Sequence, residues 1–246
     1  MTMTARQDMA GASLAKVGWY GKIPAAGDFV HRNVSREIIA WWDKWLQLSL
    51  SGPWSHADGM RRAYAQAPMW NFVIPRGSGP GVVQMGCIAA SHDRVGRRYP
   101  VCAMLDVDAE RYEPQLLDGG AGFFRQLGMA LMGAVRNGYG AEQLEQAVVA
   151  ASNGLAPRQA ASHDAGGDIM AILSPQGAGL TPPDRLAWPD LPLCFNPHAN
   201  TSYWWTNQVD GAALRTYVHG GALNASLFST LFVPAAGVRR DAWTPR

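Results

Sequence analysis

Ser91-His92-Asp93 puts the three residue types of a hydrolytic triad side by side in one short polar segment. Consecutive positions send their side chains apart, whereas a triad is defined by convergence in space. No serine sits in a Gly-x-Ser-x-Gly turn either. Gly21-Lys22 has the glycine-lysine pair of a phosphate-binding loop, but Lys16 stands where that loop needs its first glycine and Ile23 where it needs Ser or Thr. Asp106-Val107-Asp108-Ala109-Glu110 opens like a calcium loop and then offers Arg111 in place of glycine and Leu117 in place of the closing glutamate. The histidines (His31, His56, His92, His163, His198 and His219) form no His-x-x-x-His pair, so no metal site is expected.

The remaining chemistry is that of binding. Arg94, Arg97 and Arg98 crowd one connection, with Lys22 and Arg32 elsewhere in the chain. Guanidinium forks suit carboxylates or phosphorylated groups on a partner. The same side chains could instead pair with local acids such as Asp93, and both readings stand. Lys22, Asp28 and Arg32 are likewise either the solvated trim of a strand exit or part of a polar recognition patch.

The elements that must position these residues are partly readable. Val17 to Tyr20 is a short aromatic strand that Gly21 can leave at unusual backbone angles. Pro24 then fixes its own φ, and Gly27-Asp28 reads as a turn. Helical spacing of Ile38, Trp41/Trp42, Trp45 and Leu48 predicts a helix over 35–50, capped by Asn33 or Ser35. A weaker helix is expected over 56–67. Strands are expected over 69–75, 81–90 and 100–107, the first two as a hairpin. One long helix is expected over 113–136, with Gly128 and Gly133 weakening it or admitting a close neighbour. A helix over 141–151, a strand over 169–173, a hairpin of 203–206 with 214–218 and a last helix over 224–232 complete the reading. The adjacent pair Trp204-Trp205 must face opposite sides of its strand, which leaves one of them exposed if only one face is covered. The whole predicts an α+β (mixed α/β) single domain with a largely antiparallel sheet flanked by helices.

Composition narrows the function classes. The 246 residues carry a net charge of +2 and are only 16% charged, so no nucleic-acid surface is implied. Cys87, Cys102 and Cys194 are odd in number and far apart, which suits buried thiols in a reducing compartment. Neither a signal-peptide core nor a membrane-spanning run is visible, and a cytoplasmic protein with a flexible tail over 1–15 is expected.

Five motif segments, in order, resemble the TagF family of accessory regulators of bacterial type VI secretion. They are Gly18, Gly21, Lys22, Pro24, Gly27, Asp28 and Phe29; Trp42-Asp43 with Trp45; Pro68, Trp70 and Phe72; Asp93-Arg94-Val95-Gly96-Arg97 with Tyr99-Pro100; and Ser202-Tyr203-Trp204-Trp205-Thr206. Residues 109–197 carry no such segment. The resemblance implies one TagF-like domain over 16–246, while the prolines of 174–197 themselves predict an irregular stretch there. It implies a cytoplasmic, non-enzymatic protein without a cofactor, which restrains secretion after translation. The partner it implies is the forkhead-associated (Fha) scaffold protein, and it supplies no catalytic residues. Lys22, Asp28, Arg32, Arg94, Arg97 and Arg98 are therefore the expected partner-binding set. A hydrolase with a site assembled from scattered polar residues, using His92 or Asp93, and a purely structural subunit are the alternatives.

Overall fold

The computed structural model describes residues 17–51, 58–155, 186–208 and 213–233. The expected tail 1–15, the strand over 169–173 and the first part of the proline-rich stretch (174–185) lie outside them. Seven strands form one sheet: β1 (Gly18–Gly21), β2 (Val30–Arg32), β3 (Trp70–Ile74), β4 (Val83–Ala89), β5 (Val101–Val107), β6 (Thr201–Thr206) and β7 (Thr216–Gly220). Their spatial order is β2-β1-β5-β4-β3-β6-β7, and every neighbouring pair is antiparallel. The mixed α+β architecture with an antiparallel sheet is as the sequence predicts. The three-residue β2 was not foreseen; it is too short to show a period.

Side-chain alternation divides the sheet into two cores. On one face Trp19, Val73, Met85, Cys87, Ala103 and Trp205 pack against α3 (Pro114–Asp118), α4 (Ala121–Arg136), α5 (Ala141–Ser152) and α6 (Leu191–Cys194). On the other, Tyr20, Trp70, Phe72, Ile88, Met104 and Trp204 pack against α1 (Arg36–Leu50), α2 (Asp58–Ala65) and α7 (Ala225–Phe232). Because helices cover both faces, Trp204 and Trp205 are both buried, at 0% and 1% exposure. The condition under which one of them would be exposed, a sheet covered on one face only, is not met.

The second core is aromatic, and its four buried indoles are bonded. Trp42 donates to Gln84, Trp45 to the Asn224 carbonyl, Trp70 to the Leu231 carbonyl and Trp204 to Ser202. A buried N–H left without an acceptor would cost more than its ring gains in packing specificity. Ser35 caps α1 by accepting the Ile38 amide, and Asn224 caps α7 by accepting the Leu227 amide.

The long helix expected over 113–136 is two helices. The α3 end is closed by Gly119, whose amide donates to Gln115 and Leu117, and α4 starts anew after Gly120. Adjacent glycines, each roughly 1 kcal/mol poorer than alanine in a helix, make this the cheapest place to break. Gly128 and Gly133 do admit close neighbours: a Cβ there would overlap the Asn207 amide and the Tyr139 ring.

Gly86 in β4 has the tightest surroundings in the sheet, since a Cβ would overlap the Ala103 carbonyl on β5. Gly86→Ala must push two bonded strands apart. It is expected to cost about 2–3 kcal/mol and to lower the melting midpoint by roughly 5–10 °C in a thermal scan.

Candidate functional site

Two motif segments that lie some seventy residues apart in sequence meet at one edge of the sheet. The chain leaves β1 at Gly21, with φ +139°, where a Cβ would overlap the Pro100 carbonyl. This close approach turns Lys22 inward to 6% exposure. Its Nζ lies 2.8 Å from Asp93 Oδ2, and the Asp93 side chain is wholly buried.

Asp93 accepts four hydrogen bonds. Lys22 Nζ at 2.8 Å and Arg97 Nε at 2.7 Å reach Oδ2; the Arg97 amide at 2.9 Å and the Val95 amide at 3.1 Å reach Oδ1. Burial opposes ionisation of this carboxyl, but Lys22 and Arg97 outweigh it and hold its pKa well below the usual carboxylate range. The 93–97 turn closes further through the Asp93 and Gly96 amides, with Gly96 at φ +87°.

The turn is then fastened to the 24–29 loop. Arg97 donates through Nη2 to the Gly27 carbonyl at 2.7 Å, and the Arg94 amide donates to the Ala26 carbonyl at 2.8 Å. The Arg94 guanidinium lies 3.2 Å from where a Gly27 Cβ would stand. Gly27 is thus the point where two guanidiniums approach one stretch of backbone.

Behind this lies an aromatic and carboxylate cluster. Lys22 Nζ sits 4.8 Å from the Phe29 ring centroid, a cation–π distance. Phe29 stacks on Tyr20 and meets the Tyr99 ring edge-on. The Tyr20 and Tyr99 hydroxyls both donate to Asp43 Oδ1, at 3.0 and 2.7 Å, and Gln47 Nε2 donates to Oδ2 at 2.6 Å. Burial first, with the Asp43 carboxylate adding to it, pushes both phenols well above their ordinary range. They stay protonated and act as donors.

Of the expected residues, the structure brings Lys22, Arg94 and Arg97 together, with Asp28 exposed beside Gly27 and Arg98 on the same connection. Asp28 accepts the Phe29 amide at 2.8 Å. Arg97 pairs with Asp93, the local alternative, whereas Arg94 and Arg98 have no acid partner among the described residues. Arg32 does not join them. It lies opposite Trp19 in register, hence on the α5 face, where it pairs with Glu145 at 3.3 Å. Tyr20, Phe29, Asp43 and Tyr99 were not foreseen as site residues. Their only signal was their place inside the motif segments.

Ser91, His92 and Asp93 diverge as their adjacency requires. Ser91 is buried, His92 is exposed with Nδ1 2.8 Å from the Asp93 carbonyl, and Asp93 faces Lys22. No three metal-binding side chains gather among the described residues. None of the described helices is long and apolar enough to cross a membrane. All three cysteines are free thiols, Cys87 and Cys102 buried and Cys194 exposed on α6.

An antiparallel sheet between two helical layers defines an α+β module of three layers. Residues 18–151 match the TagF N-terminal domain, type VI secretion system-associated, and the chain belongs to that family. In overall shape it is similar to PA0076 from Pseudomonas aeruginosa PAO1, with a TM-score of 0.62 at 23% identity. That likeness covers 94% of this chain and 99% of the other, and it bears on the fold alone. A search of curated protein sequences returns no match.

The ion pair makes a prediction that can be read by thermal melts. Lys22→Met strands a buried carboxylate on one remaining cation and should lower the midpoint by roughly 5–10 °C at neutral pH. Arg97→Gln leaves Lys22 in place and should cost clearly less. Because the folded-state pKa of Asp93 is depressed, its stabilisation is complete at neutral pH and is lost as pH falls below its ordinary value of 3.8. The gap between wild type and Lys22→Met should therefore narrow in acid. A gap that stays constant would assign the loss to packing.

Proposed function

We propose that this TagF-family chain is a non-enzymatic repressor of type VI secretion that acts after translation, in the cytoplasm, by binding a component of the apparatus. The partner in this reading is the forkhead-associated (Fha) scaffold protein, and the contact surface is the rim built around Gly27. One observation carries it: separated motif segments close on each other through a buried ion pair and leave Arg94 and Arg98 exposed, without an acid partner among the described residues. A rigid loop with unmatched charge is suited to recognition, because little ordering remains to be done on binding. The hydrolase alternative gains no support from this geometry. A base must be free to take a proton, and the Asp93 carboxylate is already saturated by four donors.

The test is affinity capture of the tagged full chain from a host with an intact type VI system, read by mass spectrometry, together with effector secretion in a deletion strain. The Fha scaffold should be recovered with the wild type, and secretion should rise on deletion. Recovery of other apparatus proteins without the scaffold would move the partner elsewhere. Unchanged secretion in the deletion strain would remove the repressor role.

A further inference from the structure

We propose that the 94–98 segment is a docking site for an acidic peptide segment that also carries an apolar side chain. This rests on the binding reading above for its biological role, but the chemistry is read from the turn itself.

The turn brings in three guanidiniums and one carboxylate, and that carboxylate already serves buried Lys22. Arg97 is committed inward, to Asp93 and to the Gly27 carbonyl. Arg94 and Arg98 are both exposed. At the tip between them Val95 is 71% exposed, and Phe29, two residues beyond Gly27, is 40% exposed. Cation, apolar tip and cation therefore follow one another along a backbone whose amides are already bonded to Asp93, Ala26 and Asp93 again.

Each part of that arrangement selects a ligand. Unmatched guanidiniums favour carboxylates. An exposed valine at a pinned tip favours an apolar residue between those carboxylates, over a bare phosphate. A whole-chain charge of +2 gives no wider field to hold a nucleic-acid backbone. Rigidity matters as much as charge, because the turn is held by a buried pair that a ligand at the surface does not have to break.

The probe is a short fluorescein-labelled peptide of Asp and Glu around a central Leu. Its controls are the Asn/Gln counterpart, the acidic peptide with Gly for Leu, and a phosphoserine peptide without other acids. Binding to the full chain is read by fluorescence anisotropy at low and at physiological salt. The acidic Leu peptide should bind best, more weakly as salt rises. Arg94→Glu with Arg98→Glu should weaken it roughly tenfold or more, and Val95→Asp should weaken it through the tip. Neither variant removes a bonded side chain, so both should melt like the wild type, and that is checked first. Equal binding of the Asn/Gln peptide, undiminished binding by the double variant, or preference for the phosphoserine peptide would overturn the proposal. The double variant is also placed in the secretion assay. Lost peptide binding with unaltered secretion leaves the docking site standing and removes its regulatory role; the reverse removes the docking site while leaving the Fha reading intact.

Discussion

The Lys22–Asp93 pair is the contact on which the functional rim depends. Taking two charges out of water is costly, and their attraction offsets that cost only when geometry and hydrogen bonding are nearly complete. Here the carboxylate side is complete, met by four donors, and the ammonium is shared between Asp93 and a ring face. The pair also explains the glycines around it. Gly21 lets the strand pass against Pro100, and Gly27 leaves room for the Arg94 guanidinium. Gly96 reverses the turn at a φ that other residues resist. Several motif positions thus serve one electrostatic object.

The remaining motif residues serve a different one. Trp42, Trp45, Trp70, Phe72 and Trp204 share the core on the α1 face. Their rings supply apolar area, while the indole N–H groups fix where each ring lies. Asp43 joins the two objects, since it stands on α1 next to Trp42 and accepts from Tyr20 and Tyr99 beside the ion pair. A ring contact through Phe29 completes the link. The rim is thereby fixed to the aromatic core by short-range bonds, without an intervening flexible linker.

Sequence periodicity made the larger elements legible. Helices α1, α5 and α7 and strands β3, β4 and β5 stand out because each carries a long enough apolar pattern or run. The division of residues 113–136 did not, since periodicity continues across Gly119-Gly120 while the backbone does not. The burial of both Trp204 and Trp205 depends on helices far away in sequence and cannot be read locally. At the site, Asp93 was visible as a possible partner for the arginines, and Arg97 took it. The separation of Arg32 follows from strand parity, which becomes readable only once β2 is known to pair with β1. The Tyr20–Asp43–Tyr99 cluster is wholly tertiary, with its members contributed by β1, α1 and the connection just before β5.

The indole bonds also set an order of events during synthesis. Trp45 and Trp70 find their acceptors on Asn224 and Leu231, which bracket α7. Until those residues emerge from the ribosome, the aromatic face of the sheet has α1 and α2 to cover it but lacks α7 and the carbonyls that accept from Trp45 and Trp70. The nascent chain must therefore carry part of its tryptophan-rich face uncovered until α7 is made. Closure of that face thus follows the synthesis of all seven strands, and the two indoles wait longest for their partners.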